Sequence, residues 1–266
     1  MSSDVKFLIV SKIRVNILIQ LSKEPLTMAQ ISKISSLSYA TISNNLSKLD
    51  KNGYVIKEGG QYIITNVGRI RLSNFLELNQ TLNTIENSKD ILYNHNIGMF
   101  SKEDMLNFNN LIDSKIETTD NENVYKLDEI KENILRDAEF LNFIMPYVHP
   151  LYIELINDLF ESKVPIHLVL YQKAFNILSD DLGRNLIKEK LRSGQLKVTT
   201  RKDINFELIV TDKSMSLSLF RNEGVLDQNR LLLSNSINAV DWGLNVFNNF
   251  IENKNIKGYY NLPILV

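Results

Sequence analysis

The chain has 266 residues, 44% of them apolar and 23% charged, globular proportions with room for two domains of ~100–150 residues each. It has no cysteine and only three histidines, His95, His149 and His167, which excludes disulfides and thiolate chemistry and argues against a histidine-rich metal site. The net charge of −1 conceals an asymmetry: residues 1–73 hold ten Lys/Arg against four Asp/Glu, whereas residues 74–266 hold twenty against twenty-seven, so a head of +6 precedes a body of −7 and a polyanion is the expected partner of the head.

The opening apolar run Phe7–Val10 is interrupted by Lys12 and Arg14 well short of the ~18 residues of a spanning helix, and no signal-peptide cleavage site follows. A cytoplasmic protein with no membrane partner is expected. Val10, Ile13, Ile17, Leu18 and Leu21 recur at helical spacing and predict a first helix over about Asp4–Ser22, with Lys12 and Arg14 outside. Glu24-Pro25 ends it. Thr27 then caps a short helix in which Ile31 and Ile34 face inward, and the turn Ser35-Ser36-Leu37 leads to a second cap at Ser38. A helix from Tyr39 to about Lys51 follows, with Ile42, Leu46 and Leu49 inside. Its opposite and flanking faces carry Ala40, Thr41, Asn44, Asn45, Ser47 and Lys48.

Two short helices joined by a three- or four-residue turn form the pattern of a helix-turn-helix. Amides bind adenine bidentately in the major groove, and hydroxyls reach bases or phosphates. A merely solvated face usually prefers Glu and Lys to Asn and Ser. Gly53 suits the helix end, and Tyr54–Glu58, Gly59-Gly60 and Gln61–Thr65 predict a hairpin with a primed turn, read as a wing. The expected DNA-contacting set is therefore Ser38, Tyr39, Thr41, Asn44, Asn45 and Lys48 of the helix, with Lys57 and Gln61 of the wing.

This order of elements, with the stretch SYATISNNLSKLDKNGYV, is similar to the winged-helix domains of the ArsR and MarR types. The stretch FLIVSKIRVNILIQLSKEPLTMAQIS resembles the start of many archaeal regulators. The resemblance implies double-stranded DNA as partner. After Thr65, the residues Ile70, Leu72, Phe75, Leu76, Leu82 and Ile85 form an apolar stripe. That helix can pack on the head, or pair with its twin in a homodimer and set two recognition helices about one DNA turn apart. Residues 74–114 are read as a helical connector, between a head over 1–73 and a body over 115–258.

In the body, strand-like and helix-like runs alternate, which predicts an α/β sheet. Strands are expected at Glu139–Ile144, Pro165–Leu170, Leu196–Thr200, Phe206–Thr211 and Ser214–Phe220. Helices are expected near Pro150–Ser162, Leu182–Ser193 and Ser236–Asn253. No glycine loop suited to phosphates and no G-x-S-x-G elbow occurs, so no cofactor is expected. The body resembles a half-repeat of the phospholipase D-like fold, whose motif His-x-Lys, four residues, Asp falls here on Asn205, Glu207 and Asp212. The resemblance implies the fold without its hydrolysis, because the nucleophile and the cation are both replaced. The stretches YVHPLYIELINDLFESKVPIHLVL, LIVTDKSMSLSLF and LDQNRLLLSNSINAVDWGLNVFNNF resemble the archaeal methanogenesis regulatory protein family, with a weaker match over Asn94–Tyr125. That family implies a regulator of transcription whose body binds a ligand or partner.

Candidate ligand-binding residues of the body are Tyr147 and His149 at a strand-to-helix junction, Tyr171 past a strand end, and Asp227, Asn229 and Arg230 after a hairpin. His149 can equally cap the helix that Pro150 begins, and residues 227–230 can be a turn closed by an Asx hydrogen bond. Trp242 is either core or a stacking platform. The expected protein is an α+β winged helix-turn-helix head followed by an α/β sensor domain: a dimeric, non-enzymatic, DNA-binding regulator modulated by a small molecule or protein. The alternatives are a phosphodiesterase-type enzyme with a targeting head, and a protein-interaction module.

Overall fold

Ser11 divides the expected first helix in two. The computed structural model describes residues 3–120, 122–136 and 138–252, and in it α1 (Ser3–Ile9) gives way to α2 (Lys12–Lys23), whose start Ser11 caps by accepting from the Arg14 N–H at 3.3 Å. A serine that can cap competes with helix continuation. The break leaves Val10 62% exposed rather than inward, and it draws Arg14 in rather than out. The Arg14 guanidinium donates to Phe7 O at 2.6 Å and lies 4.1 Å from the centre of the Phe7 ring.

α3 (Met28–Ser35) opens on a reciprocal capping box between Thr27 and Gln30 and stops at Ser36, whose φ of 57° is left-handed. Ile34, expected inside, is exposed, and Leu37 of the turn packs against the core in its place. α4 (Tyr39–Lys51) is followed by β1 (Val55–Glu58) and β2 (Gln61–Ile64), an antiparallel pair with Glu58 opposite Gln61. Gly59 and Gly60 between them have φ of 55° and 85°, the backbone that a two-residue primed turn requires. Ile17, Leu21, Ile31, Leu46 and Tyr54 meet in the core of this unit. α5 (Asn66–Asn87) starts beside Tyr54: a Cβ on Gly68 would stand 2.2 Å from the Tyr54 carbonyl oxygen. Of the apolar stripe expected on α5, Leu72 is buried while Ile70, Leu82 and Ile85 are exposed. The chain divides into two units within this helix, after Gln80.

The second unit contains α6 (Lys89–Leu92), α7 (Lys102–Leu106), a 3-10 turn at Phe108–Leu111, α8 (Lys126–Arg136), α9 (Pro150–Glu161), α10 (Gln172–Leu182), α11 (Arg184–Ser193) and α12 (Ile237–Ile251). Among the described residues these helices accompany a seven-stranded sheet. Its strands are β3 (Lys115–Thr118), β4 (Leu141–Met145), β5 (Ile166–Leu170), β6 (Leu196–Thr200), β7 (Phe206–Val210), β8 (Met215–Leu219) and β9 (Arg230–Ser234), in the order β3-β9-β8-β7-β4-β5-β6. β4, β5 and β6 run parallel, with α9 and the α10–α11 pair as crossovers, and the remaining pairs are antiparallel.

Both faces are covered, so every residue of β7 and β8 is buried. Leu208 and Val210 point to the core shared with α12, and Ile209 to the core shared with α8, α9 and α10. Residues 81–114 are part of this packing, supplying Ile91, Met99, Phe100, Phe108 and Leu111 to the α12 side. Trp242 is buried there too, its Nε1 donating to Asp104 O at 2.8 Å, which makes it core. The five expected strands lie within two residues of the observed ones. β3, β9, α8 and α10 had no counterpart in the expected elements. Asn253 of the expected last helix, and the expected end of the body at residue 258, lie outside the described residues.

Candidate nucleic-acid interface and body cleft

On α4, burial of Ile42, Leu46 and Leu49 leaves the other side bare. Tyr39, Ala40, Ser43, Asn44, Ser47, Lys48 and Lys51 are exposed, and at ~100° per residue they form one continuous strip. Three of the expected contact residues are occupied by the helix itself. Ser38 Oγ accepts from the Thr41 N–H at 3.2 Å and lies 2.9 Å from Thr41 Oγ1, and Asn45 Nδ2 donates to Thr41 O at 2.8 Å. Ser43 was missed as an outward residue, although helical phase alone places it beside Asn44. On the hairpin, Lys57 Nζ stands 5.6 Å from the Tyr62 ring centre, opposite it in the ladder, and Gln61 is exposed next to the turn.

In the second unit, strand register brings Tyr147, Tyr171 and Arg201 to one end of the sheet, beyond the carboxyl ends of β4, β5 and β6. Ligands of open α/β sheets collect at such ends. A cleft of about 820 Å³ opens there, lined by Tyr147, Tyr171, Lys173, Ile177, Arg201 and Lys202 among others. Its charged groups are all cationic. Arg201 is engaged by both Asp203 oxygens, at 2.8 and 2.7 Å, and the Tyr171 hydroxyl donates to Ile204 O. Burial, with the Glu207 and Asp128 carboxylates adding to it, holds the Tyr147 phenol well above its ordinary value. Tyr147 is therefore a neutral hydroxyl at physiological pH.

His149 does not line this cleft. Its Nδ1 accepts from the Leu151 N–H at 3.3 Å, the geometry of a cap on α9. Asp227 and Asn229 lead into β9, whose first residue is Arg230, three strands from β4. Asp227 is buried, its Oδ1 accepting from Arg221 and from the Asn229 N–H at 3.0 Å each, its Oδ2 lying 2.9 Å from His95 Nε2. Burial alone would raise this carboxyl, but Arg221, the Asn229 N–H and His95 together hold it below the usual carboxylate range. His95 and Arg221 escaped the sequence reading. No periodicity connects His95 to an acid 132 positions away.

Asn205, Glu207 and Asp212 do not converge. Glu207 is buried in an ion pair with Lys131 of α8 and accepts from the Tyr152 hydroxyl at 3.1 Å. Asp212 lies past the other end of β7, about 17 Å away at ~3.4 Å per strand residue, where it accepts from the Glu139 N–H at 2.8 Å. Among the described residues no group of three or more His, Asp or Glu side chains could hold a metal ion, and no helix is long and apolar enough to cross a membrane.

Residues 125–253 match the family model described as methanogenesis regulatory protein FilR1, middle domain. Residues 2–87 match the HVO_A0261 N-terminal domain. Methanogenesis regulatory protein FilR1 of Methanothrix harundinacea (strain 6Ac) is 23% identical over 254 residues, covering 93% of this chain and 56% of that protein. The chain thus spans about half the length of the curated relative it matches. The resemblance to methanogenesis regulatory proteins extends over most of the chain, and the relative is named as a regulatory protein, in agreement with the expectation of a non-enzyme. Among solved structures, TrmBL2, an archaeal chromatin protein described as having a novel mode of DNA binding, aligns with a TM-score of 0.42 at 13% identity, over 94% of this chain and 98% of its own. Nuc from Salmonella typhimurium, a phospholipase D family member, aligns with a TM-score of 0.35 at 9% identity, over 51% of this chain and 91% of its own. Both scores are too low to bear on the fold.

Proposed function

We propose that the protein is a cytoplasmic, sequence-specific DNA-binding regulator of transcription, with a winged helix-turn-helix head and a body that binds a modulating ligand or partner. The observation that carries this reading is the bare strip of α4, rich in amides and hydroxyls, within residues 1–73 of net charge +6. α3, the short turn and α4 supply the helix-turn-helix, and the β1–β2 hairpin supplies the wing. Tyr39, Asn44 and Lys48 are the groups offered to the groove, and Lys57 and Gln61 those offered to the backbone. Ser38, Thr41 and Asn45 fix the helix start that presents them. Two copies would place two such helices in successive major grooves. The cleft beside Tyr147 and Tyr171 is the proposed effector site, and an effector acts only through different affinities for two states of the regulator.

Fluorescence anisotropy on duplexes taken from around the gene tests this. The logarithm of the association constant should fall with the logarithm of salt, by about 0.9 per phosphate contact. Asn44→Ala should cost about 1–3 kcal/mol on the best duplex and leave the salt slope unchanged. Lys48→Ala should reduce that slope by about one contact. Failure to bind any duplex, or affinity indifferent to salt, would rule the reading out.

A further inference from the structure

We propose that the second unit carries another binding site, distinct from the cleft beside Tyr147, for an uncharged apolar molecule. The site is a cavity of about 430 Å³ walled by Ile85, Leu92, Ile97, Phe100, Met105 and Phe108. That volume lies in the ~300–1,000 Å³ range of small-molecule pockets. At the packing density of a protein interior it accommodates roughly fifteen to twenty non-hydrogen atoms. It is too small for a folded partner, which needs ~800 Å² of contact on each side.

The lining specifies the chemistry. Aliphatic and aromatic side chains make up the walls, with the exposed Tyr93 at the mouth as their one uncharged hydroxyl and one methionine able to adapt its shape. The charged groups of the lining, Glu86 and Lys89, face each other at 2.6 Å. Each therefore has its counter-ion already, and a charged ligand would enter without one. The rear wall is preformed: Phe100 and Phe108 pack edge-on against Trp242 at 5.4 and 6.1 Å. Asp104 fixes Trp242 through its carbonyl and is itself held by Asn249 Nδ2 at 2.9 Å. The front wall is the last turn of α5, where Ile85 remains 44% exposed. Filling the cavity would cover that apolar surface. The same helix contributes Leu72 to the core of the first unit.

N-phenyl-1-naphthylamine, an uncharged apolar fluorophore of suitable size, tests the proposal on the full chain. Trp242 is the sole tryptophan, so binding should be saturable at one probe per chain and should quench its emission by energy transfer. Ile85→Glu alters a half-exposed position and should weaken binding about tenfold or more, with the circular dichroism spectrum and melting temperature unchanged. Leu92→Trp, which fills the cavity instead of charging it, should do the same to direct probe fluorescence. The sulfonated analogue 8-anilino-1-naphthalenesulfonate should bind about tenfold more weakly than the neutral probe. Unsaturable partition, equal affinity for both probes, or affinity untouched by both substitutions would overturn the site. So would binding seen only in a chain truncated after Glu252, since the protein's own C-terminal segment would then be the occupant. Because the readout involves no DNA, failure here is separable from failure of the DNA-binding reading.

Discussion

Burying a carboxylate is costly unless charge and hydrogen bonds meet its oxygens, and Glu207 and Asp227 satisfy that demand in different ways. Glu207 relies on Lys131, a cation that is itself buried. Lys131→Met should therefore lower the unfolding free energy by about 3–5 kcal/mol, while adding Glu207→Gln, which keeps an acceptor for Tyr152, should restore most of the loss. Urea titration of the two variants checks this, and a single variant as stable as the parent would contradict it. Asp227 has several partners, and its carboxyl titrates lower in the native state than in the unfolded chain. Its stabilisation is thus complete above about pH 4 and lost as the pH falls through the native value. Asp227→Asn should consequently lose less melting temperature than the parent between about pH 5 and pH 3. None of these partnerships was legible beforehand. Glu207 could be recognised as a departure from a catalytic motif, but its cation sits on α8, a helix absent from the expected elements. Asp227 read as a turn residue open to ligand, because nothing local announces His95 or Arg221.

At the level of single elements, the signals that could be read were local ones. Thr27 and Ser38 as caps, Gly59-Gly60 as a turn and the spacing of Ile42, Leu46 and Leu49 each act within a few residues, and the structure places all of them as expected. Ser38→Ala should cost about 1 kcal/mol of stability, whereas Asn44→Ala, exposed on the same helix, should cost less than about 0.5 kcal/mol. Thermal melting of the pair separates the support of α4 from its proposed contact surface. Close approach was not legible. Gly68 accommodates the Tyr54 carbonyl, which is backbone and cannot swing aside, so Gly68→Ala should cost about 3 kcal/mol or more. Gly243→Ala meets Met215 Cγ at 2.7 Å and Val210 Cγ2 at 3.0 Å, buried atoms close to their own backbones, and should cost about 2–3 kcal/mol. β9 and β3 escaped because short apolar runs gain their identity from the strands beside them: Leu231, Leu232 and Leu233 become a strand only between β8 and β3.

For the whole molecule, the basic head and acidic body seen in composition correspond broadly to two units that divide inside α5. Among the described residues, the apolar residues of the head's core all come from residues 7–76. A fragment spanning residues 1–87 should therefore unfold cooperatively in urea, and a gradual, probe-dependent transition would show that the head depends on the rest of the chain. What composition could not reveal is that residues 81–114 help build the body's core, since their contacts are made with α12 at the far end of the sequence. The sheet order carries one more consequence. Among the described residues its two rims are β3 and β6, strands of four and five residues with Lys115 and Lys197 exposed. Lysines on short rim strands oppose extension by a foreign strand. Fibrous growth from this sheet is discouraged at both borders.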